Sequence, residues 1–304
     1  MPLQEFRARV LFVINKKSGR KKIDREKIIR EFCTEYRIQA HFYTLGKRNN
    51  EAGINEALQQ FKPEVAVAVG GDGTVSLLAG LLAGTGIKMC IVPAGSANGM
   101  ARELNIPADT VTALQLITEG KTLNCDLLQV NKKWLCMHLS DIGLNARLIK
   151  YFQEGPVRGF PGYALALLKA LNRRDNLKIS MQTRHEEVKR EAMMLLFANA
   201  GKYGTGATIN HEGRLDDGWF EVVVVKKIGP AEIWNMFFGK KGFNPQNIEL
   251  FQARSINVET TRPAHLQVDG EYLGKTSSVT AEVLNDKLQV FIPSETQADE
   301  QVKP

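Results

Sequence analysis

Cysteine is scarce in this chain, and its few cysteines do not cluster. Cys33, Cys90, Cys125 and Cys136 lie far apart in 304 residues, with no CxxC pair. That excludes a disulfide framework or a cysteine-based zinc site as the organising device, and reduced thiols of a cytoplasmic protein are the expectation. Long apolar runs are also missing. The longest candidate, Val75 to Val92, is interrupted by Gly80, Gly84, Gly86 and Lys88, so no segment is expected to span a bilayer. The opening residues from Met1 to Arg7 contain no signal-peptide core. His41, His138, His185, His211 and His265 show no ligand spacing. Neither a GxSxG elbow nor a GxxxxGKS/T loop occurs, which removes the commonest serine-hydrolase and Walker-type signatures. There is no internal repeat and no low-complexity tract.

What is present is an ordinary globular composition, 43% hydrophobic and 24% charged, in a chain long enough for two domains with cores of their own. The net charge of +7 is partly local, in Lys16, Lys17, Arg20, Lys21, Lys22, Arg25 and Lys27. Such a surplus suits a polyanionic ligand or an anionic membrane surface, and equally a solvated basic helix face. No nucleic-acid-binding module accompanies it, so nucleic acid is not an expected partner.

The most informative run is Val65-Ala66-Val67-Ala68-Val69-Gly70-Gly71-Asp72-Gly73-Thr74. Its first half is apolar on both faces, as a strand buried in a parallel sheet requires. Its second half is a turn of small residues leading into the helical run Leu77 to Leu82. Backbone N–H groups and the helix dipole favour phosphate at such a place. An ordinary strand–turn–helix corner is the plain alternative, but Asp72 between glycines has little to pack against and suits a metal–phosphate.

Around it the chain alternates. Strands are expected at Arg9 to Asn15, Gln39 to Thr44, Val65 to Val69 and Met89 to Val92. Helices are expected at Asp24 to Tyr36, Asn50 to Gln60 and Leu77 to Leu82. This predicts a doubly wound parallel sheet with ligands at the strands' carboxyl ends, where Asn15, Thr44, Gly70 to Thr74 and Gly95 all fall. After Asp126 short strand-like runs take over: 127–131, 134–138, 177–183, 192–198, 219–225, 255–259, 265–268, 278–283 and 288–292. They predict a β-sandwich, interrupted by helices at Phe160 to Asn172 and Ala231 to Phe238. The expected domains are therefore 1–125, α/β, and 126–304, β-rich, ending in a frayed polar tail from Ser294.

A second strand-to-helix corner reads Pro93-Ala94-Gly95-Ser96-Ala97-Asn98-Gly99-Met100-Ala101-Arg102-Glu103-Leu104. With GGDGT, this resembles the diacylglycerol-kinase catalytic family of soluble bacterial lipid kinases, relatives of sphingosine and ceramide kinases. The likeness extends over nearly the whole chain. Asn15, Ser18 and Gly19 match an N-x-x-S-G loop, and Thr44 a strand-closing threonine. Asp126 matches a junction aspartate, Leu215-Asp216-Asp217-Gly218 an L-x-D-G turn, and Asp269-Gly270-Glu271 a D-G-E. GGDGT is shared with NAD kinases; the serine-centred turn and the DGE are not. Three positions, Ser76, Leu77 and Gly99, depart from the family. Val75-Ser76-Leu77 stands where x-Asn-Glu is usual, and Gly99 stands where an acid is usual.

The resemblance implies an NAD kinase/phosphofructokinase-like nucleotide domain, a β-sandwich, an active site in the cleft between them, and Mg²⁺-dependent transfer of the γ-phosphoryl group of ATP to a lipid hydroxyl. Gly70, Gly71, Asp72, Gly73 and Thr74 would hold phosphates, with Asp72 on Mg²⁺. Asn15, Ser18, Gly19, Thr44, Gly95, Ser96 and Asn98 would complete the nucleotide pocket. Asp269 or Glu271 would be the base, and Asp126 would orient the site or share the metal. Asp269-Gly270 also reads as a type I′ hairpin turn. A second, remote Mg²⁺ is implied at Asp217, helped by the carbonyls of Arg214 and Trp219. The alternatives are a soluble acceptor such as NAD, or an inactive nucleotide or lipid binder. The stretch from Ala231 to Phe243, with Trp234, Phe238 and two lysines, suits a helix lying on a membrane or one packed on the second domain. The first would bring the enzyme to the membrane's inner face. Oligomeric state is not legible.

Overall fold

The structure is a computed structural model that describes residues 8–19, 23–157, 159–172, 176–182, 187–199, 202–203, 207–208, 214–229 and 244–294. It divides into two units: Met1–Cys125 with Asp286–Pro304, and Asp126–Asn285.

In the first unit β1 (Arg9–Ile14), α1 (Arg25–Glu35), β2 (Gln39–Thr44), α2 (Asn50–Phe61), β3 (Val65–Gly70), α3 (Asp72–Leu82) and β4 (Lys88–Pro93) alternate as expected. A short α4 (Gly99–Glu103) and α5 (Thr110–Glu119) follow. Strand order is β2-β1-β3-β4, all parallel. The chain moves outward from β1 to β2, then returns past β1 to β3. Right-handed crossovers force the helices onto opposite faces when that direction reverses, and α1 packs with α5 while α2 packs with α3. Both faces being covered, the central strands have no polar side: Val10 to Val13, Ala66 to Ala68 and Met89 to Val92 are fully buried. The reversal between β1 and β3 opens the crevice at their carboxyl ends, where ligands of such sheets bind. α3 begins at Asp72, five residues before the apolar run that announces it, because Gly71 caps it and the Gly71 carbonyl accepts from Thr74 and Val75 N–H.

The second unit begins within β5 (Lys121–Val130) and continues through β6 (Trp134–Cys136), β7 (Leu139–Gly143), α6 (Leu144–Glu154), α7 (Gly159–Leu171), β8 (Leu177–Gln182), β9 (Glu187–Ala192) and β10 (Met194–Ala198). Two short pieces, β11 (Lys202–Tyr203) and β12 (Ala207–Thr208), pair with each other. Then come β13 (Phe220–Val225), β14 (Ile248–Ala253), β15 (Ser255–Val268) and β16 (Glu271–Ile292). The order is β14-β13-β10-β7-β15-β16, antiparallel, with β8 and β9 added on β15. Two cores flank its middle strands. Leu195, Phe197, Val222 and Val224 face a core shared with β5, β8 and β15. Leu196, Ala198, Val223 and Val225 face the helices α6 and α7. The period-two alternation of each strand thus feeds a different core on each side.

Several expectations change. The runs at 255–259 and 265–268 are one strand, broken in sequence by the polar residues 260–262 with Pro263 and in register by a bulge between Glu259 and Ala264. α5, α6, β9 and β14 were not expected. β9 hides because only Val188 and Ala192 of its six residues are buried. The expected helix at Ala231 to Phe238, with Trp234 and Phe238, lies outside the described residues. The domain division at 126–304 needs a correction at its end, because the last part of β16 joins the first unit. Val290 pairs with Met89 of β4, the Lys287 carbonyl accepts from Gly84 N–H, and Leu288, Val290 and Phe291 are buried. A chain ended at Asn285 should therefore lose its first unit rather than a tail, since each buried side chain is worth about 2 kcal/mol. Loss of the cooperative melting of that unit, followed by circular dichroism and limited proteolysis, is the expected result.

Candidate active site

In the first unit three loops converge at the carboxyl ends of β1, β3 and β4. Asn15 leaves β1 with its N–H on the Val69 carbonyl (2.9 Å) and folds the chain back: its Oδ1 accepts from Lys17 N–H (3.1 Å) and its carbonyl from Ser18 N–H (3.0 Å). The Asn15 amide also reaches the Thr74 hydroxyl (3.5 Å). Gly19 turns left-handed (φ +78°), and a Cβ there would strike the Ala94 carbonyl. Gly71 and Gly95 lie backbone to backbone. A Cβ on Gly95 would sit 2.5 Å from Gly71 Cα and 2.8 Å from the Asn98 side chain. Asn98 (φ +51°) closes its own loop, accepting Gly95 N–H (2.8 Å) and donating to the Gly95 carbonyl (3.1 Å). The glycines are thus required for the close approach of three loops.

Asp72 points across this cluster. Its Oδ1 accepts Met100 N–H (3.2 Å), and among the described residues its other oxygen carries no hydrogen bond. Beside the loops lies a cavity of about 530 Å³ lined by Asn15, Lys16, Ser18, Arg25, Val69 and Ala94 among others. Lys16 and Arg25 are contributions that motif matching missed. Arg25 heads α1, its Nε is buried without a partner among the described residues, and its guanidinium lies close to Gly19. A basic residue in the first turn of a helix runs against the dipole, and that mismatch was the available signal. Ser96 is exposed, and Thr44 is an exposed strand end beside Ile14 that hydrogen-bonds to none of these loops.

In the second unit the Asp269-Gly270 step is a two-residue hairpin turn joining β15 to β16, with both residues left-handed (φ 46° and 86°), as a type I′ turn requires. Asp269 does more than turn. Its Oδ2 accepts Met137 N–H (2.8 Å), and its Oδ1 accepts His138 and Leu139 N–H (3.0 Å each) and the Cys136 thiol (3.2 Å). Burial and the Asp269 charge push the Cys136 thiol well up, so it stays protonated as a donor. Three consecutive amides, left unpaired where β6 gives way to β7, are thereby satisfied by one carboxylate. Glu271, by contrast, is exposed at the head of β16 and bears no hydrogen bond or ion pair among the described residues.

Asp126 is buried and also serves the backbone. Its Oδ2 accepts Gly218 N–H (2.7 Å), its N–H donates to Leu215, and its carbonyl accepts from Asn199 (2.7 Å). It thereby ties β5 to the Leu215-Gly218 turn. There Asp217 Oδ1 accepts Trp219 N–H (2.9 Å), and Asp216 takes the Arg214 guanidinium on both oxygens (3.0 and 3.2 Å). The described residues contain no group of three His, Cys, Asp or Glu side chains arranged for a metal. A site of one carboxylate plus carbonyls at Asp217 would be a different donor set.

With this geometry in place, comparison with known proteins is informative. Residues 9–130 match the diacylglycerol kinase catalytic domain, and residues 141–292 match the YegS C-terminal NAD kinase beta sandwich-like domain. The chain belongs to the diacylglycerol kinase family. It is 25% identical over 249 residues to a diacylglycerol kinase of Staphylococcus saprophyticus, covering 78% of this chain and 79% of that one. Its fold is that of a putative diacylglycerol kinase from Bacillus anthracis (TM-score 0.77, 20% identity, 97% of this chain and 100% of that one). More distantly, it is that of an NAD kinase from Archaeoglobus fulgidus in complex with ATP (TM-score 0.56, 12% identity, 95% and 96%).

The glycines of the cluster make a sharp contrast testable. Gly95→Ala should cost about 1–3 kcal/mol by forcing the two loops apart. Gly73→Ala, helical and with nothing within 4 Å of the added carbon, should gain up to about 1 kcal/mol. Urea denaturation of the two variants measures both.

Proposed function

We propose that this protein is an ATP-dependent kinase that phosphorylates the hydroxyl of a lipid alcohol of the diacylglycerol type. The observation that carries the reading is the meeting of three glycine-bearing loops at the carboxyl ends of β1, β3 and β4, beside a cavity edged by Lys16 and Arg25. Phosphoryl transfer is mostly positioning and charge neutralisation. The amides of Gly71 to Gly73 and the 95–98 loop, with Asn15, Ser18, Gly19 and the Thr74 hydroxyl, would hold the nucleotide phosphates. Nucleotide use is supported by the ATP-bound NAD kinase of the same fold. A hard cation takes carboxylate oxygen, and the Asp72 oxygen that bears no hydrogen bond fits it; Mg²⁺ held there would neutralise phosphate charge.

Of the two candidate bases, the geometry favours Glu271. The Asp269 oxygens are occupied by amides, so Asp269 acts by shaping the turn. Glu271 is exposed and would accept the hydroxyl proton as the acceptor oxygen bonds to the γ-phosphorus and ADP leaves. A lipid acceptor is supported by the names of the relatives. It is supported too by α7, where Leu165 (57% exposed) and Leu168 (68%) stand one turn apart beside Lys169, a surface suited to lipid contact. Among the described residues no helix is long and apolar enough to cross a membrane, so contact of this kind would be peripheral. NAD as acceptor is the second reading, favoured by the fold match to the NAD kinase.

Incubation with Mg²⁺ and γ-labelled ATP, with a lipid extract in detergent or with NAD, tests the proposal. Label is expected in the organic phase. Glu271→Gln should lower kcat by about 10²–10⁴-fold with ATP affinity unchanged, while Asp269→Asn should also lose about 1–3 kcal/mol of stability. Label on NAD would overturn the lipid reading, and bound ATP without transfer would make the protein a binder.

A further inference from the structure

Behind the Asp269–Gly270 turn lies a buried polar network that no motif announces. Asp141 of β7 is fully buried. Its Oδ1 accepts Ala146 N–H (2.9 Å) in the first turn of α6, a helix whose own N-cap, Gly143, has no side chain to offer. Its Oδ2 accepts the side-chain amides of Asn145 and Gln267, each at 2.5 Å. Gln267 lies opposite Asp141 in the β15–β7 register, and its main-chain carbonyl is held by the Ser140 hydroxyl (2.7 Å). With its NH₂ on Asp141, Gln267 turns its oxygen to Gly270 N–H (2.7 Å). Gln153 of α6 holds the Gly270 carbonyl from the other side (3.1 Å).

We infer that Asp141 is a positioning residue for the Asp269–Gly270–Glu271 turn, acting through the orientation of the Gln267 amide. The inference rests on the kinase reading for its catalytic consequence and on hydrogen-bond logic for its mechanism. An ionised Asp141 offers only acceptors, and all three groups facing it are donors. Together with the Leu139 carbonyl, which accepts a longer bond from the same Gln267 NH₂ (3.4 Å), that fixes Gln267 in the one orientation that serves Gly270. A proton on either Asp141 oxygen would face a donor. Ala146 is main chain and stays where it is, so an amide must turn. Turned Gln267 would direct its NH₂ at Gly270 N–H, donor against donor, and release the head of β16 that bears Glu271.

Asp141 also titrates in a useful range. Burial pushes its carboxyl up to about 6, against the three hydrogen bonds that favour ionisation. Across it stand Tyr163 of α7, whose phenol is pushed up by burial and by the Asp141 charge, and Leu196 of β10. Arg147 is buried further along α6, and Gln267 comes from β15. The signs of the two consequences differ. Because the folded value lies above the usual carboxylate value, the native protein binds more protons between about pH 4 and 6. The burial penalty is present above pH 6 and relieved as pH falls through it. Turn positioning needs the ionised form and is lost over the same interval. Stability and turnover should thus move in opposite directions, which a purely structural aspartate would not produce.

The test is Asp141→Asn in the full chain, which keeps the shape and removes the all-acceptor face. Expected are a kcat about tenfold lower, the scale of one hydrogen bond lost in the transition state, an unchanged KM for ATP, and a Tm at neutral pH no lower than that of the parent. The parent's acid limb near pH 6 should be absent. Gln267→Leu should lose kcat similarly, and the double variant should lose no more. In parallel, the Gly270 amide resonance of the parent should titrate with a midpoint near 6, and in Asp141→Asn it should stay at its acid position throughout. A Gly270 resonance that does not move near pH 6 overturns the inference, as does movement confined to the Asn145 side-chain amide. So does an active Asp141→Asn with the parent's kcat and acid limb. The resonance decides the network even where no acceptor is phosphorylated, so failure of the kinase reading and failure of this one are told apart.

Discussion

Carboxylates that accept main-chain N–H groups hold this protein's loops. Asp72 takes Met100, Asp126 takes Gly218, Asp141 takes Ala146, and Asp269 takes Met137, His138 and Leu139. A main-chain donor left without an acceptor away from water costs about as much as a lost hydrogen bond. Each of these contacts therefore fixes where a turn or helix begins, for Asp72, Asp126 and Asp269 relative to a segment remote in sequence and for Asp141 relative to the strand just before it. An aspartate suits the task because it is short, has two acceptor oxygens and no donor, and is charged, which strengthens each bond.

This constraint changes how the acidic motifs are to be read. Asp269 and Asp126 carry the family likeness, yet both oxygens of Asp269 and the Oδ2 of Asp126 are committed to the backbone. Among the described residues the DGE acid with an unengaged carboxylate is Glu271, two residues beyond Asp269 at the head of the strand that the turn orients. Asp72 divides its oxygens, one to the fold and one, among the described residues, without a hydrogen bond. Catalysis by positioned charge has the same requirement: most of a site's polar groups hold the remainder still.

The first unit was legible almost element by element, because a parallel sheet covered on both faces writes its strands as unbroken apolar runs. The glycine corners followed from the same runs. The second unit was legible as a class only. β9 shows only two buried positions, and polar residues before Pro263 divide β15 in sequence though not in space. α6 carries Leu144, Leu148, Tyr151 and Phe152 at helical spacing, a signal overlooked because short strands surround it. The boundary misjudgement at 286 has the same origin: an edge between units is set by which core Leu288, Val290 and Phe291 enter, and the three look alike in either.

Sequence alone determined which residue types meet the chemistry: glycines where loops must approach without a Cβ, and acids in GGDGT, LDDG and DGE. Those properties are local, carried by one residue and its neighbours. Only the tertiary structure decided what each acid is free to do, because that depends on which amides from remote segments reach its oxygens. Asp141 is the clearest case. Nothing beside it in sequence marks it, and its role arises when Gln267, remote in sequence, joins Asn145 and Ala146 of the next helix around a carboxylate shut off from solvent.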